Sequence, residues 1–220
     1  MGDRIVEFKK PRVPKEFLVD FEYPEIFDIS HGVNTPALIT GYPRSGLFYL
    51  YEWMNLAMTD VGWHRVGLHG TISWQAIAPG FMNSERIIHI VRNPLDVISS
   101  AYFNLSSHYI EFLKHYSSGT CNGIKDNLRI IIRTYAYWNK LCQTRTKKLY
   151  KIEDIKSGIF GIFKDMGLKP GDHPIDANRH HVKQIKTIYQ RFDWHDIISE
   201  DERYGEEVKR MSEKWGYPEE

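Results

Sequence analysis

Short apolar runs alternate along the chain with stretches of helical periodicity. Residues 37–40 and 87–91 are short, mainly apolar runs, typical of strands that are buried on both faces of a parallel sheet. Residues 148–152 form a third strand candidate, and each run leads into a segment whose apolar residues recur every three to four positions. Strands that alternate with helices predict an α/β fold, three-layered, with a mainly parallel sheet flanked by helices.

The predicted helices have recognisable ends. One is expected from Gly46 to about Met58, and the next begins at Asn93, with proline at its first position. Further helices are predicted around residues 108–116, 126–141 and 155–166, the last ended by Gly167, and one amphipathic helix over 199–215. The first 35 residues, rich in proline and charge, predict an irregular lead-in to a single domain over residues 36–220.

Composition narrows the class of protein. The 220 residues are 42% hydrophobic, which is enough to bury a core, and the net charge of +1 argues against a broad nucleic-acid footprint. Two cysteines do not make a disulfide framework and predict thiols in a reducing compartment. There is no apolar leader and no run of about 20 apolar residues, so we expect a cytoplasmic protein without a membrane span.

A candidate phosphate loop follows the first strand. Gly41 and Gly46 have the Walker A spacing between a predicted strand and a predicted helix, where backbone N–H groups and the helix N-terminus can hold a phosphate. Leu47 and Phe48 stand where that motif requires Lys and Ser/Thr, which disfavours an ordinary ATPase or GTPase. Arg44 supplies a cation ahead of the second glycine. Taken alone, the loop is equally well explained as a Gly/Pro-rich turn with a solvated arginine.

A second candidate site follows the strand at 87–91. Arg92 comes at the carboxyl end of this strand, the edge at which open α/β sheets bind ligands. Ser100 is eight positions further on, about two helical turns, so its side chain can share a face with the helix start. An arginine and a hydroxyl at one sheet edge suit a second phosphate, whereas Asn93, Pro94 and Asp96 are interpreted as helix-capping residues.

Together these loops resemble those of the sulfotransferases that use 3′-phosphoadenosine 5′-phosphosulfate (PAPS), nearest the cytosolic type. The family's Pro-Lys/Arg-Ser-Gly loop appears here as residues 43–46, and its Arg-Asn/Asp-Pro/Ala-x-Asp-x-x-x-Ser element is matched at every specified position by residues 92–100. Residues 149–154 and 192–194 are similar to its Tyr-Glu-Asp and Gly-Asp-Trp segments. The resemblance covers roughly residues 36–215 and implies a P-loop NTPase-like sulfotransferase fold.

The resemblance also implies residue roles. The loop backbone would hold the 5′-phosphosulfate, Tyr49 would stack on the adenine, and Arg92 with Ser100 would hold the 3′-phosphate. Lys186, chosen from a group that also includes Lys183 and Arg191, would close on that phosphate. The implied donor-binding residues are Pro43, Arg44, Ser45, Gly46, Leu47, Phe48, Tyr49, Arg92, Ser100 and Lys186.

His69 is the general base that the resemblance implies. It follows residues 65–68, a possible strand, and precedes Arg92 by 23 positions, nearly the spacing in the cytosolic members. It would take a proton from a hydroxyl, or an amine, of a small-molecule acceptor. Arg44 would neutralise charge developing on the bridging oxygen as adenosine 3′,5′-bisphosphate (PAP) leaves, and the scheme needs no metal.

Two departures keep other functions open. Leu47 and Phe48 replace two hydroxyl residues that the family uses on the 5′-phosphate, and Ile152 replaces a tyrosine near the adenine. One alternative is therefore a catalytically weak or inactive PAP/PAPS-binding protein. Another is a nucleotide kinase with a degenerate phosphate loop, in which Arg44 would serve ATP. The oligomeric state and the acceptor cannot be derived from the sequence.

Overall fold

Five short strands, all parallel, form the central sheet. The computed structural model describes residues 32–56, 60–79, 81–168 and 191–217. The strands are β2 (Leu38–Thr40), β3 (Val61–Trp63), β4 (Gly70–Ile72), β6 (Ile87–Val91) and β7 (Leu149–Lys151), and their order across the sheet is β3-β4-β2-β6-β7. A separate parallel pair is formed by β1 (Val33–Asn34) and β5 (Met82–Asn83).

Seven α-helices accompany these strands in the described part of the chain. They are α1 (Leu47–Leu56), α2 (Pro94–Asn104), α3 (Ser107–Tyr116), α4 (Asn127–Arg145), α5 (Ile155–Met166), α6 (Trp194–Glu200) and α7 (Glu202–Lys214). Within the described ranges, none of the helices is long and apolar enough to cross a membrane.

Helices cover both faces of the sheet. His89 of β6 bonds through Nε2 to Asn139 of α4, 2.9 Å away. The next residue, Ile90, is in register with Tyr150 of β7, whose ring lies against Gly161 of α5. Because successive strand residues point to opposite faces, α4 and α5 lie on opposite sides of the sheet. The α/β class with a parallel sheet is thus confirmed, and the arrangement is compatible with three layers.

The longest predicted elements are confirmed, with small shifts at their ends. Residues 87–91 form β6, buried throughout, and the run at 37–40 forms β2. Asn93 caps α2 by accepting a hydrogen bond from the Leu95 amide, with Pro94 at the first helical position. Gly167 ends α5 with φ 85°, the left-handed conformation that glycine adopts most easily.

The predicted tail helix is confirmed for residues 202–214, as α7, while Asp201, with extended dihedrals, separates it from a further helix, α6. One predicted element is wrong, since residues 65–68 are not a strand but part of a crossover that joins β3 to β4.

That crossover runs back alongside β3. A Cβ on Gly62 would lie 2.0 Å from the Arg65 carbonyl oxygen, and one on Gly67 would lie 2.4 Å from the Gly62 nitrogen. Only glycine allows the two segments to come this close. The crossover therefore carries the chain from the carboxyl edge of the sheet to its amino edge within residues 64–69.

Candidate functional site

The carboxyl ends of the five parallel strands meet at one edge of the sheet, the usual ligand-binding edge of such folds. Each strand delivers a different segment to this edge. They are His64 after β3, Ser73 after β4, the loop 41–46 after β2, Arg92 after β6, and the 3₁₀ turn Ile152–Asp154 after β7.

The loop that follows β2 has the backbone of an anion cradle. Arg44 and Gly46 have φ values of 74° and 93°, so the backbone turns twice through the left-handed region before α1 begins. A non-glycine residue in this conformation is strained, and such strain concentrates at functional sites. The buried Tyr42 anchors the loop to helix α4, since its hydroxyl lies 2.9 Å from Thr134 Oγ1 and its ring meets that of Tyr135 edge-on.

The loop packs closely against β6 and against Ile152, which follows β7. A Cβ on Gly41 would lie 2.4 Å from the Ile90 carbonyl oxygen and 2.7 Å from Ser45 Oγ. A Cβ on Gly46 would lie 2.5 Å from the Ile152 side chain. Ser45 is only 2% exposed, and its Oγ has no hydrogen-bond partner within the described ranges. A buried hydroxyl without a hydrogen-bond partner lowers the stability of the fold, unless a bound ligand supplies that partner.

Three apolar or aromatic residues follow the glycine. Leu47 is 4% exposed and belongs to the core, so its side chain is used for packing rather than for binding an anion. Phe48 turns toward β3, with its ring centroid 5.3 Å from that of Trp63 and 6.1 Å from that of Tyr51. Tyr49 is half-buried and packs against the core. The Ser45 amide already donates to the Tyr42 carbonyl oxygen at 3.1 Å, so the amides at the head of α1 are the backbone groups that could hold a phosphate there.

Arg44 joins the loop to helix α2. Its Nε donates to Ser100 Oγ at 2.9 Å, and Ser100 is 2% exposed. The sequence predicted Ser100 to share a phosphate with Arg92, but the hydrogen bond in the structure is to Arg44. Both predicted sites are nevertheless brought to the same edge, because α2 starts beside the loop.

Arg92 has a second arginine as its neighbour. Arg92 Nη2 is 3.8 Å from one oxygen of Asp96, and Arg191 Nε is 2.8 Å from the other. The Phe192 amide donates to Ser99 Oγ at 2.9 Å, which fixes this segment on α2. The two guanidinium groups thus converge at the first turn of α2. Lys186 and Lys183, the other residues considered for this place, lie outside the described residues.

Glu153 ties the far end of the edge to the C-terminal turn. Its Oε1 accepts from the Asn93 amide at 3.2 Å, and its Oε2 accepts from the Tyr217 hydroxyl at 2.8 Å. Lys151 Nζ donates to the Gly216 carbonyl oxygen and lies 4.5 Å from the Tyr217 ring centroid. The C-terminal turn therefore packs beside the start of α2.

His69 is not brought to this edge. It directly precedes β4, and its amide donates to the Asp60 carbonyl oxygen at the start of β3, at 3.0 Å. This hydrogen bond and its position before β4 place it at the amino edge of the sheet, one strand length, about 10 Å, from the carboxyl edge. The crossover through Gly67 causes the displacement, since it returns the chain along β3 before His69 is reached. His69 is not positioned to act with Arg44 and Arg92.

His64, which the sequence interpretation passed over, lies at the carboxyl edge. It follows β3 with φ 52°, and its Nδ1 is 2.6 Å from Ser73 Oγ, which follows β4. Its ring meets Trp63 edge-on at 4.3 Å. Burial lowers the pKa of His64 to about 4, so the imidazole is neutral at neutral pH. The only sequence signal was the three-residue run 61–63, which is too short to interpret alone.

Comparisons with known proteins add no family. No protein-family model matches the chain, and neither a curated protein nor a solved structure does. In the described segments, no group of three or more His, Cys, Asp or Glu side chains is placed to hold a metal ion.

Proposed function

We propose that the chain transfers a sulfuryl group from PAPS to a small-molecule hydroxyl acceptor. The observation that carries this is the interior of the loop 41–46, where a buried, unpartnered Ser45 hydroxyl lies within a backbone cradle at the head of α1. Helix N-termini and left-handed backbone turns bind phosphate through their N–H groups. The 5′-phosphosulfate is the part of PAPS assigned to this cradle.

The second phosphate is assigned to the first turn of α2. Arg92 and Arg191 converge there, and the helix N-terminus adds partial positive charge. Planar guanidinium groups bind phosphate in bidentate fashion, so a 3′-phosphate would replace the Asp96 carboxylate as their partner. Arg191 thus takes the role that the sequence had given to Lys186.

Arg44 is assigned to the reaction itself. It stands in the loop with its Nε on Ser100. A guanidinium group beside the phosphosulfate stabilises the negative charge that develops on the bridging oxygen as the S–O bond breaks. The amide donors of the cradle stabilise the same charge without reorganisation of solvent.

The test is isothermal titration calorimetry with three ligands: PAP, AMP, and ATP with Mg²⁺. We expect PAP to bind more tightly than AMP, because only PAP has the 3′-phosphate. Arg92→Ala and Arg191→Ala should each weaken PAP binding by about tenfold to a hundredfold, because each removes one charge-assisted hydrogen bond to the 3′-phosphate. Neither substitution should change the affinity for AMP. Arg210→Ala, an exposed site on α7, is the control. Preference for ATP with Mg²⁺ would instead support a nucleotide kinase.

A second function, PAP or PAPS binding without turnover, is favoured by two features of the loop. The Arg44 guanidinium already binds Ser100, and the next two residues after Gly46 are apolar. Tight PAP binding together with no sulfuryl transfer to any of a broad set of hydroxyl acceptors would establish this alternative.

A further inference from the structure

The turn that joins α3 to α4 carries an Asn-Gly pair at the protein surface. Asn122 and Gly123 are both exposed, and Gly123 has φ 74°, a conformation that glycine adopts easily. A Cβ on Gly123 would meet no atom within 4 Å. The backbone therefore has room to rotate at this pair.

Few hydrogen bonds restrain the pair. The Asn122 amide donates to the Gly119 carbonyl oxygen at 3.1 Å, and the Ile124 amide donates to the Cys121 carbonyl oxygen at 3.2 Å. Within the described ranges, neither the Asn122 side chain nor the Gly123 N–H forms a hydrogen bond. Rotation about the Asn122 Cα–C bond therefore breaks only the hydrogen bond to Cys121, a local opening that an exposed turn undergoes readily.

The other asparagines of the described segments differ from Asn122 in the residue that follows them. Each is followed by a residue larger than glycine, whose side chain hinders the approach of its own amide nitrogen to the asparagine side chain. These pairs are Asn34-Thr35, Asn55-Leu56, Asn83-Ser84, Asn93-Pro94, Asn104-Leu105, Asn127-Leu128 and Asn139-Lys140.

We propose that Asn122 is a site of spontaneous deamidation, at which the Gly123 nitrogen attacks the side-chain carbonyl carbon of Asn122. The proposal is independent of the proposed sulfuryl transfer. As the Gly123 nitrogen bonds to Cγ, it gives its proton to water or hydroxide. The bond between Cγ and Nδ2 then breaks, and Nδ2 takes up a proton and leaves as ammonia. Water opens the resulting five-membered imide at either carbonyl group, which yields aspartate or isoaspartate.

Isoaspartate at position 122 lengthens the main chain by one methylene group at a point where both neighbouring segments are packed. Cys121 is 2% exposed and belongs to a small apolar cluster with Ile110 and Ile130, and Ile124 packs against the same cluster. Because the added methylene shifts Cys121 relative to Ile124, the isoaspartyl form should pack this cluster less well and melt at a lower temperature.

The test is incubation of the purified full chain at mildly alkaline pH, with trypsin digestion and mass spectrometry at intervals. Trypsin releases residues 115–125 as one peptide, in which Asn122 is the only amide side chain. We expect this peptide to gain the mass that replaces NH₂ by OH and to separate into two chromatographic forms. Protein isoaspartate methyltransferase should label one of these forms, because the enzyme methylates isoaspartate and not aspartate.

Two variants and one internal peptide are the controls. Gly123→Ala should deamidate at least about tenfold more slowly than wild type, because its Cβ crowds the attacking nitrogen and restricts rotation. Asn122→Gln should keep its mass, since attack on the longer side chain closes a less favourable six-membered ring. Peptide 66–86, in which Ser84 follows Asn83, should also remain unchanged over the same period.

The decisive comparison is between the folded chain and the same chain unfolded in urea. If peptide 115–125 kept its mass in the folded chain while it was converted in the unfolded one, the turn would protect Asn122 and the proposal would be overturned. Equal rates for wild type and Gly123→Ala would overturn it as well, because the attack would then not depend on glycine.

Discussion

At the scale of single residues, Ser45 is unusual because its hydroxyl is buried without a hydrogen-bond partner in the described ranges. We expect Ser45→Ala to leave the free energy of unfolding of the ligand-free protein unchanged, or to raise it by up to about 1 kcal/mol, since no hydrogen bond is lost. The same substitution should weaken PAP binding about tenfold. Urea denaturation and calorimetry on one preparation measure both effects.

Ser99 is the matched control for Ser45. It is equally buried, but its Oγ donates to the Leu95 carbonyl oxygen and accepts from the Phe192 amide. Ser99→Ala should therefore destabilise the protein by about 1–3 kcal/mol, because it leaves a buried amide unpaired. If Ser45→Ala proved as destabilising as Ser99→Ala, the Ser45 hydroxyl would have a partner in solution and the cradle would not be open to an anion.

A buried histidine gives the fold a pH dependence. Burial lowers the pKa of His89 to about 4, against its ordinary value near 6.5, and the hydrogen bond with Asn139 only partly offsets this. The unfolded chain therefore binds a proton at a higher pH than the folded one. The contribution of His89 to stability is complete above pH 6.5 and falls by about 3 kcal/mol as the pH drops to 4.

His89→Gln should remove that dependence. The free energy of unfolding of this variant, measured by urea denaturation from pH 7.5 to 4, should fall less steeply with acidification than that of wild type. His195→Gln, at an exposed position on α6, should follow the wild-type curve. Parallel curves for wild type and His89→Gln would mean that His89 is not buried as a neutral group.

At the scale of elements, Asp201 explains why the tail forms two helices. Its side chain accepts from the Tyr204 amide and so caps α7, and it forms a salt bridge with Arg133 of α4. We expect Asp201→Ala to cost about 2–3 kcal/mol, from the lost cap and the unpaired arginine. Asp201→Asn should cost about half as much, because an amide still caps the helix. If both variants lost the same free energy of unfolding, the carboxylate charge of Asp201 would account for the whole effect.

The sequence predicted elements where local signals were long or strongly capped. β6 has five buried residues and is followed by Asn93-Pro94, and α5 ends at a left-handed glycine, so both were identified. β3 and β4 have three residues each, two of them glycines, Gly62 and Gly70, and their pairing depends on the crossover between them. No periodicity of the sequence could show that this crossover reverses direction, which is why the sequence placed His69 at the candidate site and did not point to His64.

In the candidate site too, some residues could be located from the sequence and some contacts could not. The loop 41–46 and Arg92 could be located because each follows an apolar run that could be identified as a strand. The Arg44–Ser100 hydrogen bond joins residues 56 positions apart, and the contact between Arg191 and Asp96 spans still more of the chain. The first contact depends on how α2 packs beside the loop after β2, and the second on how residues 191–192 pack on α2; local sequence specifies neither.

At the scale of the whole molecule, the C-terminal turn connects elements that are distant along the chain. Tyr217 is 9% exposed, and its hydroxyl donates to Glu153, which in turn accepts from the Asn93 amide at the start of α2. Burial and the neighbouring Glu153 carboxylate raise the pKa of Tyr217, so the phenol keeps its proton and donates at any physiological pH. The last residues described thus help to hold β7 and α2 together.

We expect Tyr217→Phe to lower the free energy of unfolding by about 1 kcal/mol, which for a chain of this size corresponds to a melting temperature about 2–4 °C lower. The aromatic packing and the contact with Lys151 are kept, so the loss reports the hydrogen bond to Glu153. Tyr137→Phe removes a hydroxyl that bonds the exposed Ser118, and it should change stability by less than about 0.5 kcal/mol. If the two variants had the same melting temperature, the C-terminal turn would not stabilise the sheet edge. If Tyr217→Phe also weakened PAP binding while Tyr137→Phe did not, the turn would additionally support the helix start that carries Arg92.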